Sequence, residues 1–391
     1  IPATIYVRLE NKMAEQITPG KVYAIASDIT SVMGLGAAEH WDAISAGTQG
    51  IQQYDDKAFS NTPFYGSMLD EAQWQLINMA IDTDKELSTF ERLCLFSAKQ
   101  ALSNTTVDLE ETVLILSTTK GNIELLDEAP DSTIALQNSA NAINSVLGIK
   151  AKPIVVSHAC ISGSVALLYA HRLITGGRYK KAIIVGCDRF TPFVLNGFQS
   201  FQAIADGPCR PFDADRTGIN LGEAAATIIL SSTGTDAIAC LYGGATSNDA
   251  NHISGPSRTG EELSDAINRA MQEAGVQSSD INMISAHGTA TAYNDEMEAK
   301  AIHLSGLSEV PLHSMKSYTG HTLGAAGVLE SAMILEAIKH QQLIPSAGYE
   351  KHGVPVPVNV TTQMQPADIQ YVLKTASGFG GSNAAIVWGR I

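Results

Sequence analysis

Basic charge is scarce in this sequence. Its 391 residues carry 40 aspartates and glutamates against 25 lysines and arginines, a formal net charge of −15, and no Lys/Arg cluster interrupts the deficit. Phosphate contacts need a basic face, so nucleic-acid binding is disfavoured. Cysteine is sparse as well. Cys94, Cys160, Cys187, Cys209 and Cys240 are odd in number, widely spaced and without a CxxC pair. That spacing argues against a disulfide framework and a zinc site, and points to a reducing compartment, the cytoplasm. Long apolar runs are missing too: 182–185 and 224–230 fall well short of the ~20 residues a membrane helix needs, so no membrane span is expected. Residues 1–20 have neither the basic start nor the apolar core of a signal peptide and are expected to be an N-terminal extension or expression remnant.

What is present describes an ordinary globular chain, 45% hydrophobic and 17% charged, long enough for two core units. Strand-like apolar runs alternate with helical patterns, the mark of a layered α/β protein with buried sheets. They fall into two series. The first has strands at 22–27, 112–116, 154–156, 182–185 and 225–230, with helices at 38–46, 89–102, 133–146 and 160–174. The second has strands at 237–242, 283–286, 311–314, 369–373 and 384–388, with helices at 261–274, 295–303 and 324–340. The similar rhythm suggests an internal duplication, and the short polar stretch 231–235 is the best linker.

Within the first series, VVSHACISGSVALLY (155–169) breaks an apolar run at Cys160 and turns into a helix rich in small residues: Ser162, Gly163, Ser164 and Ala166. Small residues permit close packing, so this helix should be buried. A cysteine in its first turn would sit where free N–H groups and the positive helix end favour the thiolate, lowering its pKa. The same N–H groups could hold an oxyanion. Taken alone, Cys160 also fits an inert core cysteine.

Two histidines offer it partners. SAHGTATAYNDEMEA places His287 at a strand end before a helix, and HSMKSYTGHTLGAAGVLESAM carries Lys316 and His321 before a Gly/Ala-rich helix start. One such histidine is usually a hydrogen-bonded structural residue. Ligands of α/β sheets sit beyond the carboxyl ends of the strands, so these corners can converge on one site. A thiol with imidazoles nearby suits acyl transfer.

Taken together, the ordered set AC-x-S-G, C-R-P-F-D, H-G-T-x-T, K-S-x-x-G-H-x-x-G-A-A-G and G-F-G-G-x-N resembles the β-ketoacyl-acyl carrier protein synthases, from about residue 21 to the end. Each motif is weak alone; the ordered set is strong. The resemblance implies the thiolase-like duplicated five-layer αβαβα fold, with one half over 21–234 carrying the nucleophile and a second over 235–391 carrying the His/Lys/His motifs. It implies a homodimer served by acyl carrier protein, with no cofactor and no metal. Cys160 would take an acyl group from a carrier thioester. His287 and His321 would hold the malonyl thioester oxygen during decarboxylation, and Lys316 would orient and polarise the site. The N–H groups of Cys160 and Phe379 would form the oxyanion hole, Phe379 also gating the acyl pocket. Thr289 and Thr291 would contact the pantetheine arm. Glu330, in a buried apolar helix, should pair with Lys316 or the backbone, since an unpaired buried charge is costly.

Several positions depart from the family's pattern. His158 stands where threonine is usual and is read as filling space rather than tuning the thiol. Thr217 replaces an acidic residue. Ser377 replaces a phenylalanine near the gate, implying a wider pocket suited to bulky, aryl or unsaturated acyl chains. A carrier-docking face should be locally basic, with Arg172, Arg178, Lys180 and Lys181 as candidates. A thiolase and a non-catalytic chain-length-type subunit remain as alternatives. The first should carry a second catalytic cysteine, where only Cys240 is available; the second should lack the nucleophile.

Overall fold

The computed structural model describes residues 21–126, 131–253 and 255–391; the expected extension at 1–20 lies outside them. Eleven strands form the main sheet: β1 (Val22–Ser31), β2 (Thr112–Ser117), β3 (Ile154–Val156), β4 (Lys181–Asp188), β5 (Ala224–Ser231), β6 (Ala239–Asn248), β7 (Ile281–Ser285), β8 (Pro311–His313), β9 (Asn359–Val360), β10 (Tyr371–Gly378) and β11 (Ser382–Gly389). Their order is β9-β8-β7-β10-β11-β6-β1-β5-β4-β2-β3.

That order contains one pattern twice. Numbered within its own series, each set of five strands runs third, second, fourth, fifth, first. In each, the second strand is parallel to the third and fourth, while the fifth is antiparallel to the fourth and first. An antiparallel contact of β1 with β6, at Val22↔Leu241 to Ala24↔Ala239, joins the two sets, and β9 is added beside β8.

The layers follow from which face each strand residue presents. Strands buried on both sides read as continuous apolar runs, as β2 does with TVLILS. Val113 and Ile115 join the inner core with Leu167 and Leu335, whereas Leu114 and Leu116 join an outer core with Leu93 and Ile143. In the second set, Met283 and Val372 face inward, and Ile284 and Leu373 pack outward with Leu263 and Ile267. The stack is helix, sheet, helix, sheet, helix: the duplicated five-layer αβαβα fold of the thiolases.

Nine helices of two or more turns complete the layers among the described residues: α1 (Ala37–Ser45), α2 (Glu71–Ala80), α3 (Thr89–Ser103), α4 (Leu136–Leu147), α5 (Ser162–Thr175), α6 (Pro192–Ser200), α7 (Glu261–Ala274), α8 (Ala292–Leu304) and α9 (Ala326–His340). Sequence cues account for several ends: a Ser88/Glu91 capping box starts α3, and Thr191 caps α6 ahead of Pro192. Helices α5 and α9 form the middle layer, and α9 is buried from Ala326 to Ile338. None of the described helices is long and apolar enough to cross a membrane.

Some boundaries differ from expectation. The helix expected over 133–146 is broken at Ala135, which is extended, giving a short helix Asp131–Ile134 and then α4. The helix expected from residue 160 begins at Ser162, with Ile161 as its cap. Helices α2 and α6 had no counterpart in the sequence reading. α2 buries only Ile77 and α6 only Val194 and Leu195, so neither contributes a broad core-facing stripe.

Candidate active site

Cys160 follows β3 on a sharp bend rather than in the first turn of α5. Ala159 has φ of +46°, a left-handed conformation that is uncommon for a residue with a side chain. Ser162 holds the bend: its Oγ donates to the Ala159 carbonyl at 2.6 Å and accepts the His158 N–H at 2.7 Å. The end of β10 approaches closely. A Cβ at Gly378 would sit 3.1 Å from the Cys160 nitrogen and 3.3 Å from Ala159 Cβ, so a side chain there would crowd the bend.

The expected lowering of the thiol pKa is corrected here. Burial pushes the Cys160 thiol up to about 11, against weaker downward pulls from Lys316, Lys120 and the Phe379 N–H. Losing water around the sulfur costs the anion more than these groups return. The resting residue is a thiol.

His287 lies two residues beyond β7. The Glu298 carboxylate, buried on α8, grips its turn by accepting the His287 N–H at 2.8 Å and the Gly288 N–H at 2.7 Å. The other histidine, His321, is placed by its N–H donating to the Asn220 carbonyl at 2.7 Å. Its Nδ1 accepts the Leu323 N–H at 3.3 Å, while its buried Nε2 has no partner. The ring centroids are 5.4 Å apart at an interplanar angle of 85°. Burial first, then Lys316 and Lys374, holds both imidazoles well below the ordinary histidine range, so both are neutral at pH 7. In neutral His321 the accepting Nδ1 leaves the proton on Nε2.

Behind the histidines lies a buried ion cluster. Glu330 Oε1 is 2.6 Å from Lys316 Nζ, and its Oε2 is 2.7 Å from Lys374 Nζ. Burial pushes the Glu330 carboxyl up, but the two ammonium groups outweigh it and hold the carboxyl below its usual value. On the opposite flank, Asp188 at the end of β4 accepts Oγ–H and N–H groups of Thr118 and Thr119, and the Gly324 N–H at 2.7 Å, bracing the turn after His321.

One cavity of about 370 Å³ collects Cys160, His287, His321, Thr289, Thr291, Ser377 and Phe379. The Thr289 and Thr291 hydroxyls share a hydrogen bond of 2.8 Å, and Ser377 Oγ donates to Asn383 Oδ1 at 2.8 Å. Phe379 stacks on Phe198 at 5.7 Å and meets Phe201 edge-on at 5.5 Å, making an aromatic group on the wall. Lys316 and Glu330 stand behind this cavity rather than on it.

One expectation fails locally. His158 is exposed, so it neither fills space in this chain nor lines the cavity. Of the basic-face candidates, Arg172 is engaged by Glu273 and the Gly244 carbonyl, Lys180 by Glu111 at 2.7 Å, and Lys181 by the Thr106 carbonyl. Arg172 lies near the far end of α5, roughly 15 Å along the axis from its start. Sequence reading also missed Lys374, Glu298, Asp188, Phe198 and Phe201. A charged residue directly after the apolar run YVL, inside β10, was the available signal for Lys374.

Comparison with known proteins decides the family. Residues 21–235 match the family model described as β-ketoacyl synthase, N-terminal domain, and residues 238–350 the corresponding C-terminal domain. The chain belongs to the β-ketoacyl synthase family. It is 27% identical to 3-oxoacyl-[acyl-carrier-protein] synthase 2 of Mycobacterium leprae, over 92% of this chain and 94% of that one. It is 28% identical to the tetracenomycin polyketide synthase ketoacyl synthase alpha subunit of Streptomyces glaucescens, over 91% and 94%. Among solved structures, the ishigamide ketosynthase/chain length factor superposes with a TM-score of 0.86 at 25% identity, covering 96% of this chain and 100% of that one. A ketosynthase solved with its chain length factor from Xenorhabdus doucetiae gives 0.80 at 25% identity, over 95% and 98%. Membership sets the thiolase alternative aside. Cys240 agrees with that outcome, being packed in β6 away from the cavity.

Proposed function

We propose that this chain is a catalytic condensing subunit. It loads an acyl group from a carrier thioester onto Cys160 and joins it to a malonyl-carrier unit by decarboxylative Claisen condensation. The observation that carries this reading is His321: a neutral imidazole with its proton on a buried, unpartnered Nε2, on the same cavity as the thiol. A buried donor without an acceptor is costly in the resting protein. It is worth keeping where a negatively charged oxygen must form.

In the first half-reaction the Cys160 sulfur attacks the thioester carbonyl. The N–H groups of Cys160 and Phe379 hold the oxyanion, the carrier sulfur leaves, and the proton lost from the thiol ends on it. The high thiol pKa means that this proton leaves during the attack rather than beforehand. In the second, the bond from the malonyl α-carbon to its carboxylate breaks and carbon dioxide departs. The electron pair becomes an enolate whose oxygen is held by His321 Nε2–H and the His287 ring. The α-carbon then attacks the acyl carbonyl on Cys160 and the thiolate is expelled. Lys316 keeps the imidazoles neutral, as donors. Thr289 and Thr291 would meet the pantetheine arm.

The small Ser377 beside the Phe198–Phe379 stack favours wide, flat acyl chains, aryl or unsaturated, over short saturated ones. The second reading, a chain-length-type subunit working beside a separate ketosynthase, draws on the paired assemblies named among the structural relatives. Intact-protein mass measurement after mixing with acyl-carrier thioesters separates the two. An acyl mass gain that vanishes in Cys160→Ala supports the catalytic reading. No adduct with any carrier or coenzyme A thioester, alone or as a homodimer, would move the assignment to the second.

A further inference from the structure

Behind the cavity, three buried polar residues lie side by side across three parallel strands. Ser285 closes β7, and in register it faces His313 of β8 on one side and Lys374 of β10 on the other. All three are fully buried, and Ser285 Oγ and both His313 ring nitrogens have no partner. Such a row costs stability unless something else is gained. Of the three, Lys374 is the cationic one, its pKa lowered by burial against the upward pull of Glu330, and its contacts join β7, β10 and α9. Its ammonium donates to the carbonyls of Ser285, at 3.3 Å, and of Thr375. It also holds Glu330 Oε2 of α9 at 2.7 Å, while Oε1 of the same carboxylate holds Lys316.

We propose that Lys374 is a second positioning lysine of the condensation site. It shares the Glu330 carboxylate with Lys316 and places an additional buried positive charge behind the two histidines. This rests on the reading of His287 and His321 as N–H donors and deepens it. A single Lys–Glu pair cancels its own field at a distance. The Lys316–Glu330–Lys374 group itself carries a net positive charge, opposed from the β7–α8 side by the Glu298 carboxylate, and at low effective dielectric that charge acts on groups several ångströms away. It disfavours imidazolium and stabilises an enolate oxygen forming between the rings. The groups facing the imidazoles are Lys316, Lys374, the other histidine and the Cys160 thiol, with the Glu298 carboxylate on the His287 backbone. Removing Lys374 therefore takes away one of two nearby cations and should raise both histidine pKa values.

Lys374→Gln tests this, since it keeps a donor for Glu330 and deletes the charge, leaving the Lys316–Glu330 pair complete. Lys374→Met is the second variant, deleting the donor as well. Three readouts are taken on the full-length protein: acyl loading of Cys160 by intact mass, kcat and KM for malonyl-carrier decarboxylation, and ¹³C-histidine NMR titration of His287 and His321. The expected result in both variants is unchanged loading, kcat lower by about tenfold with KM within about twofold, and titration of both rings at higher pH than in wild type. Unchanged histidine titration in folded Lys374→Gln would overturn the proposal. So would kcat restored by Gln but not Met, which would make Lys374 a hydrogen-bonding strut. The NMR arm needs no turnover, so it stands even if wild type proves unable to condense and the functional reading fails.

Discussion

Gly163 and Gly327 face each other where α5 crosses α9, and neither position has room for a side chain. A Cβ on Gly327 would lie 2.4 Å from the Ser164 nitrogen, and one on Gly163 would lie 2.7 Å from the Val328 nitrogen. Backbone atoms cannot rotate aside, so the two middle-layer helices would have to separate. Cys160 enters the first helix and His321 precedes the second, so this crossing sets the nucleophile against the donor. Gly327→Ala is expected to cost about 1–3 kcal/mol, read as a lower urea midpoint at unchanged slope. Condensation should fall further than loading of Cys160, because the relative placement of thiol and imidazole is what moves.

The buried thiol has a pH signature. With its pKa pushed up to about 11, the rate of Cys160 alkylation by iodoacetamide should climb about tenfold per pH unit from about pH 7 to about pH 10. Peptide mapping reports Cys160 separately from the other four cysteines, all of which are also buried. A rate that levels off by about pH 8 would show that the thiolate is stabilised in the resting site.

His321→Ala should split the two half-reactions. Acyl loading of Cys160 is expected within a few-fold of wild type, while malonyl decarboxylation falls by about 10²–10³, the usual loss when an oxyanion donor is removed. Radiolabelled malonyl-carrier measures carbon dioxide release directly. Equal loss of both steps would mean that His321 serves the thiol.

Glu330 couples stability to pH. Its folded carboxyl titrates below the ordinary glutamate value of 4.5, so its contribution is complete above that value and is lost as pH falls through the lower, folded one. Glu330→Gln leaves two buried ammonium groups without the carboxylate they share and should cost roughly 3–5 kcal/mol at neutral pH. Its stability should decline less steeply than wild type in the acid range. Parallel pH profiles of thermal midpoint would count against an ionised Glu330.

Ser377→Phe tests the pocket. Ser377 is buried against Asn383 on the cavity wall, and a ring there should cut loading of bulky or aryl acyl chains by about tenfold or more while sparing short saturated ones. A wild-type preference for short saturated chains, across an acyl-carrier panel, would contradict the substrate reading itself.

Much of this molecule was legible in one dimension. Short uninterrupted apolar runs such as TVLILS read as strands buried on both faces, and their alternation with amphipathic segments points to a layered α/β architecture. The small-residue start of α5 pointed to a closely packed, buried helix, and the motif order around Cys160, His287, Lys316 and His321 carried the family. What escaped depended on contacts between distant segments. Lys374 reads as the polar end of a strand until Glu330, 44 residues earlier in the chain, is seen to hold it. The thiol pKa was misjudged because helix position is local and readable, whereas desolvation depends on everything folded around the sulfur. The protonated nitrogen of His321 was likewise set by one backbone N–H two residues on, whose direction exists only once the turn is folded. Sequence alone determined which chemistry-bearing side chains this protein has and which layers carry them. Their charge states, partners and shared cavity were decided by tertiary structure, because burial and electrostatic coupling act through space rather than along the chain.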